Sequence, residues 1–395
     1  MIWLFLSTSV SLRPIILVPG TMGSNLVATI TNRKTHWYCP KNLNNEEIWV
    51  DEEYVIPPIV NCLGDWLTMR YDPTINDAVD QENCKIDIVD FGGVNGMSFI
   101  DDIFNSSKLI PYMHEYIKYL QKHGYTVGQD LFGAPFDWRR GLVLGQDHYD
   151  KMTKLVEEAY VKNDNQKVVL VGHSLGGYFV HYFLTNKTTA DWRAKYIESA
   201  LLVAPSFGGA GTVVEQLWNG KVSFLRSLGL NKDIMAKLAS SIGALYVHLP
   251  NINAFQDEVV LIDDAGKSYT AKDAFEALKA NGKFRDTPEI AALHTEFYQN
   301  QLKPLDVPTF LVYNDRFDTT SGWDAQKGEK LRTDGDSVVN SFGAKYVCNN
   351  WKTNKKLLCH NLNSTSYWST HILMVAKEEY IDLVLQHALD TSWEN

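Results

Sequence analysis

The sequence predicts an α/β fold in which helices cover both faces of a mainly parallel β-sheet. Short apolar runs that indicate buried strands recur at residues 15–18, 168–171, 200–203 and 310–313. Stretches with helical periodicity lie at residues 109–121, 149–161 and 371–389. Because strands that alternate with helices form parallel sheets, chemically active groups are expected at the carboxyl ends of the strands.

Two regions interrupt this alternation and are predicted to be insertions over that edge of the sheet. Residues 36–70 are rich in Trp, Tyr, Ile and Pro, and residues 207–300 combine helical pieces with the strand-like stretch EVVLID. A chain of 395 residues is long enough for two or three domains, but α/β enzymes often extend a single core with insertions. The core is therefore assigned to the remaining segments, 12–35, 71–206 and 301–395.

The composition favours an exported protein without a nucleic-acid partner. Residues 1–11, MIWLFLSTSVS, resemble a short secretory signal that ends in a small-x-small site, with a buried first strand as the alternative. Sequons at Asn105, Asn186 and Asn363 are compatible with export. The net charge of −10 and the lack of a Lys/Arg-rich stretch argue against nucleic acid and against polybasic membrane docking. No apolar run reaches about 20 residues, so no transmembrane anchor is expected.

The cysteines are predicted to form two disulfides in such a protein. Cys39 with Cys62 closes one loop and Cys348 with Cys359 closes another, which leaves Cys84 free. No C-x-x-C pair or H-E-x-x-H motif is present, so the sequence supports no metal site.

The stretch VVLVGHSLGGYFVHYF, residues 168–183, predicts a nucleophilic serine at a strand-to-helix turn. Gly172, Ser174 and Gly176 form the G-x-S-x-G pattern between a β-branched run and a helix-like run. Glycine on either side of the serine avoids collisions in so sharp a turn. The amide of Leu175, at the helix start, points to where an oxyanion would form. The alternative is a glycine turn in which the hydroxyl only caps the helix.

A serine nucleophile needs an imidazole base, and in this class of fold the base follows the serine and an acid in the chain. His371 is the predicted base, because it lies where the polar loop NLNSTSYWST meets the last amphipathic stretch. His181 and His387 lie within helical patterns, where a structural role is expected. The histidines that follow the serine are His181, His248, His294, His360, His371 and His387.

The residue pattern alone does not decide which carboxylate orients the base. Aspartates in turns are common for conformational reasons, so four candidates stay level: Asp315, Asp318, Asp334 and Asp336. The Asp137-Trp138-Arg139 segment is predicted to be a buried structural cluster, since arginine pairs with carboxylate and tryptophan packs.

Seven stretches occur in an order typical of one enzyme family. They are IILVPGTMGSNLVA, the HWYC-to-VNC loop, GYTVGQDLFGAPFDWRRG, VVLVGHSLGG, LLVAPSFGG, DGDSVVN and THILM, within residues 15–390. Together they resemble the lecithin:cholesterol acyltransferase family, a close relative of which is lysosomal phospholipase A. GQDLFGAPFDWR is the most family-specific stretch. The resemblance implies an α/β-hydrolase core with a cysteine-closed lid at 36–70 and a cap at 207–300.

The resemblance also implies a catalytic triad of Ser174 as nucleophile, Asp336 as acid and His371 as base. The family's D-G-D-G-T-V segment corresponds to residues 334–339, and its second aspartate is the catalytic one. That segment is DGDSVV here, and this departure keeps Asp334 and Asp315 as weaker alternatives.

Further positions are expected to contact the substrate or a lipid surface. VPGTMG matches the segment that supplies the second oxyanion amide, so the backbone N–H of Thr21 is expected to act beside that of Leu175. Phe207, in the segment that matches the family's G-A-P-W-G-G, is expected near the acyl site, with core packing as the alternative. Trp49 and Trp66 are candidates for contact with a lipid–water interface, with core burial equally open.

The predicted function is serine-dependent acyl transfer from glycerophospholipids, as a phospholipase A or as an O-acyltransferase to a lipid alcohol. The resemblance implies no cofactor, and the expected location is secreted or in a lysosomal or endomembrane lumen. The expected partners are phospholipid, the lipid–water interface and a lipid alcohol acceptor. A neutral-lipid esterase of the same fold and a non-catalytic lipid-binding protein are the alternatives.

Overall fold

The computed structural model describes residues 12–49, 51, 53–97, 112–222, 225 and 229–389. The strands are β1 (Ile15–Val18), β2 (Leu26–Ile30), β3 (Leu43–Trp49), β4 (Arg70–Asp72), β5 (Asp77–Val79), β6 (Cys84–Ile88), β7 (Leu131–Gly133), β8 (Val168–His173), β9 (Ile197–Val203), β10 (Val259–Ile262), β11 (Ser268–Thr270), β12 (Thr309–Tyr313), β13 (Phe317–Asp324), β14 (Glu329–Gly335) and β15 (Leu357–Asn361).

The helices connect these strands and cover the sheet. They are α1 (Val60–Leu67), α2 (His114–Lys122), α3 (Gln146–Lys162), α4 (Leu175–Asn186), α5 (Ala190–Tyr196), α6 (Thr212–Asn219), α7 (Lys232–Ser241), α8 (Gly243–Val247), α9 (Ile252–Phe255), α10 (Ala271–Ala280), α11 (Pro288–Ala292), α12 (Thr295–Gln299), α13 (Phe342–Asn350) and α14 (Glu378–Leu389). Five of them, α3, α4, α5, α13 and α14, pack against strands of the central sheet.

The central sheet has six parallel strands in the order β15-β12-β9-β8-β1-β7. Its four inner strands are the four predicted from the sequence, which confirms the predicted fold class. Their residues are almost entirely buried, as expected for strands covered on both faces. The edge strands β7 and β15 escape sequence prediction, because one has three residues and the other is half-exposed without a continuous apolar run.

The predicted helices differ from the observed ones at their ends. The helix predicted at 149–161 is confirmed inside α3. The helix predicted at 109–121 corresponds to α2, which begins at His114, and its first three predicted residues lie outside the described residues. The helix predicted at 371–389 is wrong at its start, because a short 3-10 helix, Leu373–Val375, precedes α14. Apolar periodicity continues through both pieces, so the sequence pattern does not reveal the break. The break leaves His371 in a loop.

Three smaller sheets accompany the central sheet, and two of them join segments that the sequence assigns to different units. One has the order β3-β2-β6, one β11-β10-β13-β14, and one pairs β4 with β5. β2 from the predicted core pairs with β3 from the predicted lid, and β10 from the predicted cap pairs with β13 from the core. The predicted lid and the predicted cap therefore each share a sheet with the predicted core, and the boundaries at residues 35/36 and 300/301 stay a prediction.

Both predicted disulfides are confirmed, Cys39–Cys62 and Cys348–Cys359, and Cys84 is free and buried. The first links a loop to α1, and the second links α13 to the edge strand β15. Among the described residues, no helix combines the length and apolar character needed to cross a bilayer. The predicted signal segment, residues 1–11, lies outside the described residues.

Candidate active site

Ser174 occupies a strained turn between β8 and α4, with φ of 57° and ψ of −124°. A Cβ on Gly172 would lie 2.5 Å from the carbonyl oxygen of Gly176, and one on Gly176 would lie 2.2 Å from that of Val18. Side chains at these two positions would therefore force the turn apart. The glycines allow the strand to enter the helix directly and leave the serine at the carboxyl end of β8.

His371 contacts both other members of the predicted triad. Its Nε2 lies 2.8 Å from Ser174 Oγ, and its Nδ1 lies 2.7 Å from Asp336 Oδ2. All three residues are buried. The backbone N–H of His371 also donates to the carbonyl oxygen of Asp336 at 2.9 Å, which holds the two loops side by side. Folding thus aligns a hydroxyl, an imidazole and a carboxylate in one hydrogen-bonded line.

The carboxylate of Asp336 is oriented by backbone donors as well as by the imidazole. Its Oδ1 accepts the N–H groups of Val338 at 3.0 Å and Val339 at 2.7 Å. Because the donors are backbone groups, the unusual side chains in the DGDSVV segment do not disturb this arrangement. The other carboxylates have different partners: Asp315 pairs with Lys345 and Asp318 with Arg332.

A second histidine, His173, forms a hydrogen bond with the backbone of His371. The sequence pattern did not single it out. The Nε2 of His173 lies 2.9 Å from the carbonyl oxygen of His371. Because a carbonyl oxygen can only accept a hydrogen bond, this Nε2 carries the proton. Its Nδ1 then accepts from the hydroxyl of Tyr112 at 2.7 Å. Burial lowers the pKa of His173 well below its ordinary value, consistent with this neutral tautomer. The only sequence feature that could have identified His173 is its position next to Ser174. No sequence feature identifies Tyr112.

The segment after β1 passes directly over the serine. A Cβ on Gly20 would lie 2.7 Å from Ser174 Cβ and 3.2 Å from Ser174 Oγ. The N–H of Gly20 donates to the hydroxyl of Tyr112 at 2.7 Å. The backbone N–H groups of Thr21 and Leu175, the predicted oxyanion donors, have no acceptor among the residues that the structure describes.

Trp49 and Trp66 lie in the protein interior, which matches the core-burial alternative rather than contact with a lipid–water interface. Trp49 packs against Trp138 with ring centroids 5.2 Å apart and donates to the carbonyl oxygen of Met22. Trp66 packs against Tyr54 at 5.4 Å. The apolar area of an indole ring favours burial wherever the fold offers a cavity of its shape, which explains the position of both side chains.

Phe207 also lies in the core, in a group of aromatic rings. Its ring centroid lies 5.7 Å from Tyr178, 5.3 Å from His181 and 5.8 Å from Trp351. These contacts match the core-packing alternative rather than exposure to a substrate cavity.

Arg139 forms the buried cluster expected from the DWR segment. Its guanidinium donates to both carboxylate oxygens of Asp137 and to Asp80 at 2.8 Å. Trp138 is buried beside it and donates to the carbonyl oxygen of Ser24. The cluster makes no contact with the triad and so has a structural role. In the described part of the chain, no group of three or more His, Cys, Asp or Glu residues could hold a metal ion.

The parallel sheet, with its serine at the β8–α4 turn, defines an α/β-hydrolase fold. The chain belongs to the lecithin:cholesterol acyltransferase family, because the profile described as "Lecithin:cholesterol acyltransferase" matches residues 44–321, more than half of the chain. Relatives include "Lysosomal phospholipase A and acyltransferase" from Bos taurus, 27% identical over 349 residues, which cover 86% of this chain and 83% of that protein.

Two further relatives have similar coverage. The protein of the same description from Canis lupus familiaris is 25% identical, over 92% of this chain and 88% of its own. "Phosphatidylcholine-sterol acyltransferase" from Papio anubis is 25% identical, over 86% of this chain and 77% of its own. Among solved structures, the rice cell wall degrading esterase LipA from Xanthomonas oryzae superposes with a TM-score of 0.35 at 12% identity, covering 68% of this chain and 76% of that one.

Proposed function

We propose that this protein transfers acyl groups from glycerophospholipids through an acyl-enzyme on Ser174, as a phospholipase A and O-acyltransferase. The observation that carries the proposal is the 2.8 Å contact between Ser174 Oγ and His371 Nε2. A serine hydroxyl is a weak nucleophile at neutral pH, and an imidazole at this distance can take its proton as the oxygen attacks an ester carbonyl.

In the first half of the reaction, the Ser174 oxygen forms a bond to the ester carbonyl carbon while its proton moves to His371 Nε2. The amides of Thr21 and Leu175 donate to the tetrahedral oxyanion. As the intermediate collapses, the bond to the glycerol oxygen breaks and His371 returns the proton to that oxygen. A lysophospholipid leaves, and the acyl group stays on Ser174.

In the second half, water or the hydroxyl of a lipid alcohol attacks the acyl-enzyme. His371 takes the proton of the attacking group and then returns it to the Ser174 oxygen as the acyl bond breaks. Asp336 stays ionised and stabilises the transient imidazolium. Water yields a fatty acid, and a lipid alcohol yields a new ester.

The names of the relatives support the lipid substrate, since they describe phospholipase A, acyltransferase and phosphatidylcholine-sterol acyltransferase activities. The two disulfides support an oxidising compartment, such as the secretory route or a lysosomal lumen.

The test compares Ser174→Ala with Ser199→Ala on phosphatidylcholine vesicles, with and without a lipid alcohol. Ser199 is a matched control, because its hydroxyl is buried in β9 and has no hydrogen-bond partner within the described part of the chain. We expect Ser174→Ala to lose about a thousandfold or more in rate and to resist labelling by a fluorophosphonate. Normal ester cleavage by this variant would remove the proposal.

The same assay separates the alternatives. A marked preference for triacylglycerol over phosphatidylcholine would assign a neutral-lipid esterase. Absence of fluorophosphonate labelling in the unmodified protein would assign a lipid-binding protein without turnover.

A further inference from the structure

Exposed apolar side chains concentrate beside the triad. Nine large apolar side chains are exposed among the described residues: Trp37, Ile56, Ile75, Val161, Val259, Val338, Tyr367, Trp368 and Ile372. Four of the nine lie within four residues of Asp336 or His371 in the sequence. These four, Val338, Tyr367, Trp368 and Ile372, are called the triad rim below.

The backbone holds the two halves of the triad rim together. The N–H of His371 donates to the carbonyl oxygen of Asp336, so the loop with Ile372 lies beside the loop with Val338. A 3-10 helix, Tyr367–Ser369, presents the two aromatic residues, whose side chains are 73% and 43% exposed. The hydroxyl of Thr370 donates to the carbonyl oxygen of Tyr367 and ties this turn to the residue that precedes His371.

The sequence segments that carry the triad rim contain almost no charged residues. Residues 361–376 contain no Asp, Glu, Lys or Arg, and neither do residues 337–344, although the whole chain has a net charge of −10. The ammonium of Lys377 lies 5.8 Å from the ring centroid of Trp368, at the border of this surface. An uncharged surface can approach a bilayer without desolvating ionised groups or repelling phosphates.

We propose that the triad rim docks the protein on a phospholipid surface, with Tyr367 and Trp368 at the headgroup level. Tyrosine and tryptophan favour this depth, because each combines apolar area with a polar edge. Docking there would bring the ester bonds of the bilayer to the loops that hold Asp336 and His371, and His371 contacts the buried Ser174. This inference rests on the proposed function and replaces Trp49 and Trp66, which are buried, as the lipid-contact residues.

The test measures flotation with phosphatidylcholine vesicles in a Ser174→Ala background, so that binding is separated from turnover. We expect Tyr367→Ser combined with Trp368→Ser to weaken vesicle binding by about tenfold, since less aromatic surface leaves water. Ile75→Ser combined with Val161→Ser is the matched control, because both residues are exposed apolar side chains outside the triad rim, and it should change binding less than twofold. A thermal melt of each variant identifies loss of fold.

Vesicles of brominated phosphatidylcholine give a second measurement that does not need the double variant. Quenching of tryptophan fluorescence should fall by about half or more in Trp368→Phe and stay unchanged in Trp37→Phe, whose native side chain is 93% exposed. Unchanged quenching in Trp368→Phe, equal weakening by the control pair, or no vesicle binding at all would overturn the inference. If the protein with Ser174 intact binds vesicles through the triad rim but does not cleave the ester, the proposed function alone is removed.

Asn363, in a sequon, is exposed four residues before Tyr367, and a glycan there would crowd the triad rim. If the triad rim is the docking surface, enzymatic removal of N-glycans should leave vesicle binding equal or stronger. Weaker binding after removal would contradict the inference.

Discussion

His173 donates a hydrogen bond from its Nε2 to the carbonyl oxygen of His371 at 2.9 Å, and the two ring centroids lie 4.9 Å apart. The proposed base is therefore held at three points: its ring by Asp336, its amide by the carbonyl of Asp336, and its carbonyl by His173. Tyr112 extends this support to Gly20, so one chain of hydrogen bonds connects the base to the segment above the serine.

Removing the hydroxyl in Tyr112→Phe should lower kcat by about tenfold with little change in KM, because His173 and Gly20 both lose a partner. The buried nitrogen left unpaired should also cost about 1–3 kcal/mol of stability. The measurement is steady-state kinetics on a soluble ester together with a urea melt. Tyr246→Phe is the control, since it removes a buried hydroxyl bond to Ser240 in the cap and should lower stability but not kcat. Equal kcat values for the two variants would refute the positioning role of Tyr112.

Asp336→Asn should reduce kcat by about three to four orders of magnitude, because the amide cannot stabilise the imidazolium or hold the correct tautomer. Asp315→Asn is the matched variant at the carboxyl end of β12, where the carboxylate pairs with Lys345 rather than with a histidine. Its kcat should change by less than about fivefold. The two variants thus distinguish between two aspartates that the residue pattern alone does not rank. A larger loss of kcat in Asp315→Asn than in Asp336→Asn would assign the acid to Asp315.

Arg139→Met should destabilise the protein by about 3–5 kcal/mol, because it leaves the carboxylates of Asp137 and Asp80 without their buried cation. Arg332→Met removes an exposed ion pair with Asp318 and should cost less than about 1 kcal/mol. Urea unfolding followed by tryptophan fluorescence measures both. Similar midpoints for the two variants would show that the buried cluster contributes no special stability.

Stability should decline as the pH falls from about 6.5 toward 4. Burial lowers the pKa of five histidines, to about 4 for His148, His181 and His248, and below the ordinary value for His173 and His294. In this pH window the unfolded chain binds protons that the folded chain excludes, so each histidine opposes folding by up to about 1.4 kcal/mol per pH unit. The loss of stability that a given histidine causes levels off once the pH is below the pKa of that histidine in the folded state.

The variant that checks this pH dependence is His181→Gln. It should reduce the slope of unfolding free energy against pH by the amount that corresponds to about one bound proton. His36→Gln, at an exposed loop position, is its control and should leave the slope unchanged. Urea midpoints between pH 4 and 7 provide the measurement. The same slope in both variants would show that His181 does not titrate in this window.

The tryptophans illustrate why the lid was the hardest region to predict. Trp37 and Trp49 belong to the same predicted insertion, yet one is 93% exposed and the other 1%. Composition marks both as aromatic, but burial depends on whether Trp138, from a distant segment, packs against the ring. For the same reason, the triad rim was not predicted, because the sequence does not tell which apolar side chains of a loop lack a covering partner.

The sequence by itself determined the four inner strands of the central sheet and the serine at the turn after β8, because these depend on local patterns: continuous apolar β-branched runs and glycines around a sharp turn. The family resemblance named Asp336 as the acid, but only the tertiary structure shows that Asp336 meets His371 and that Tyr112 and His173 support the site. These contacts join atoms up to 198 residues apart in the chain. Such pairings are set by how the strands and loops pack against one another, and no local pattern of residues specifies them.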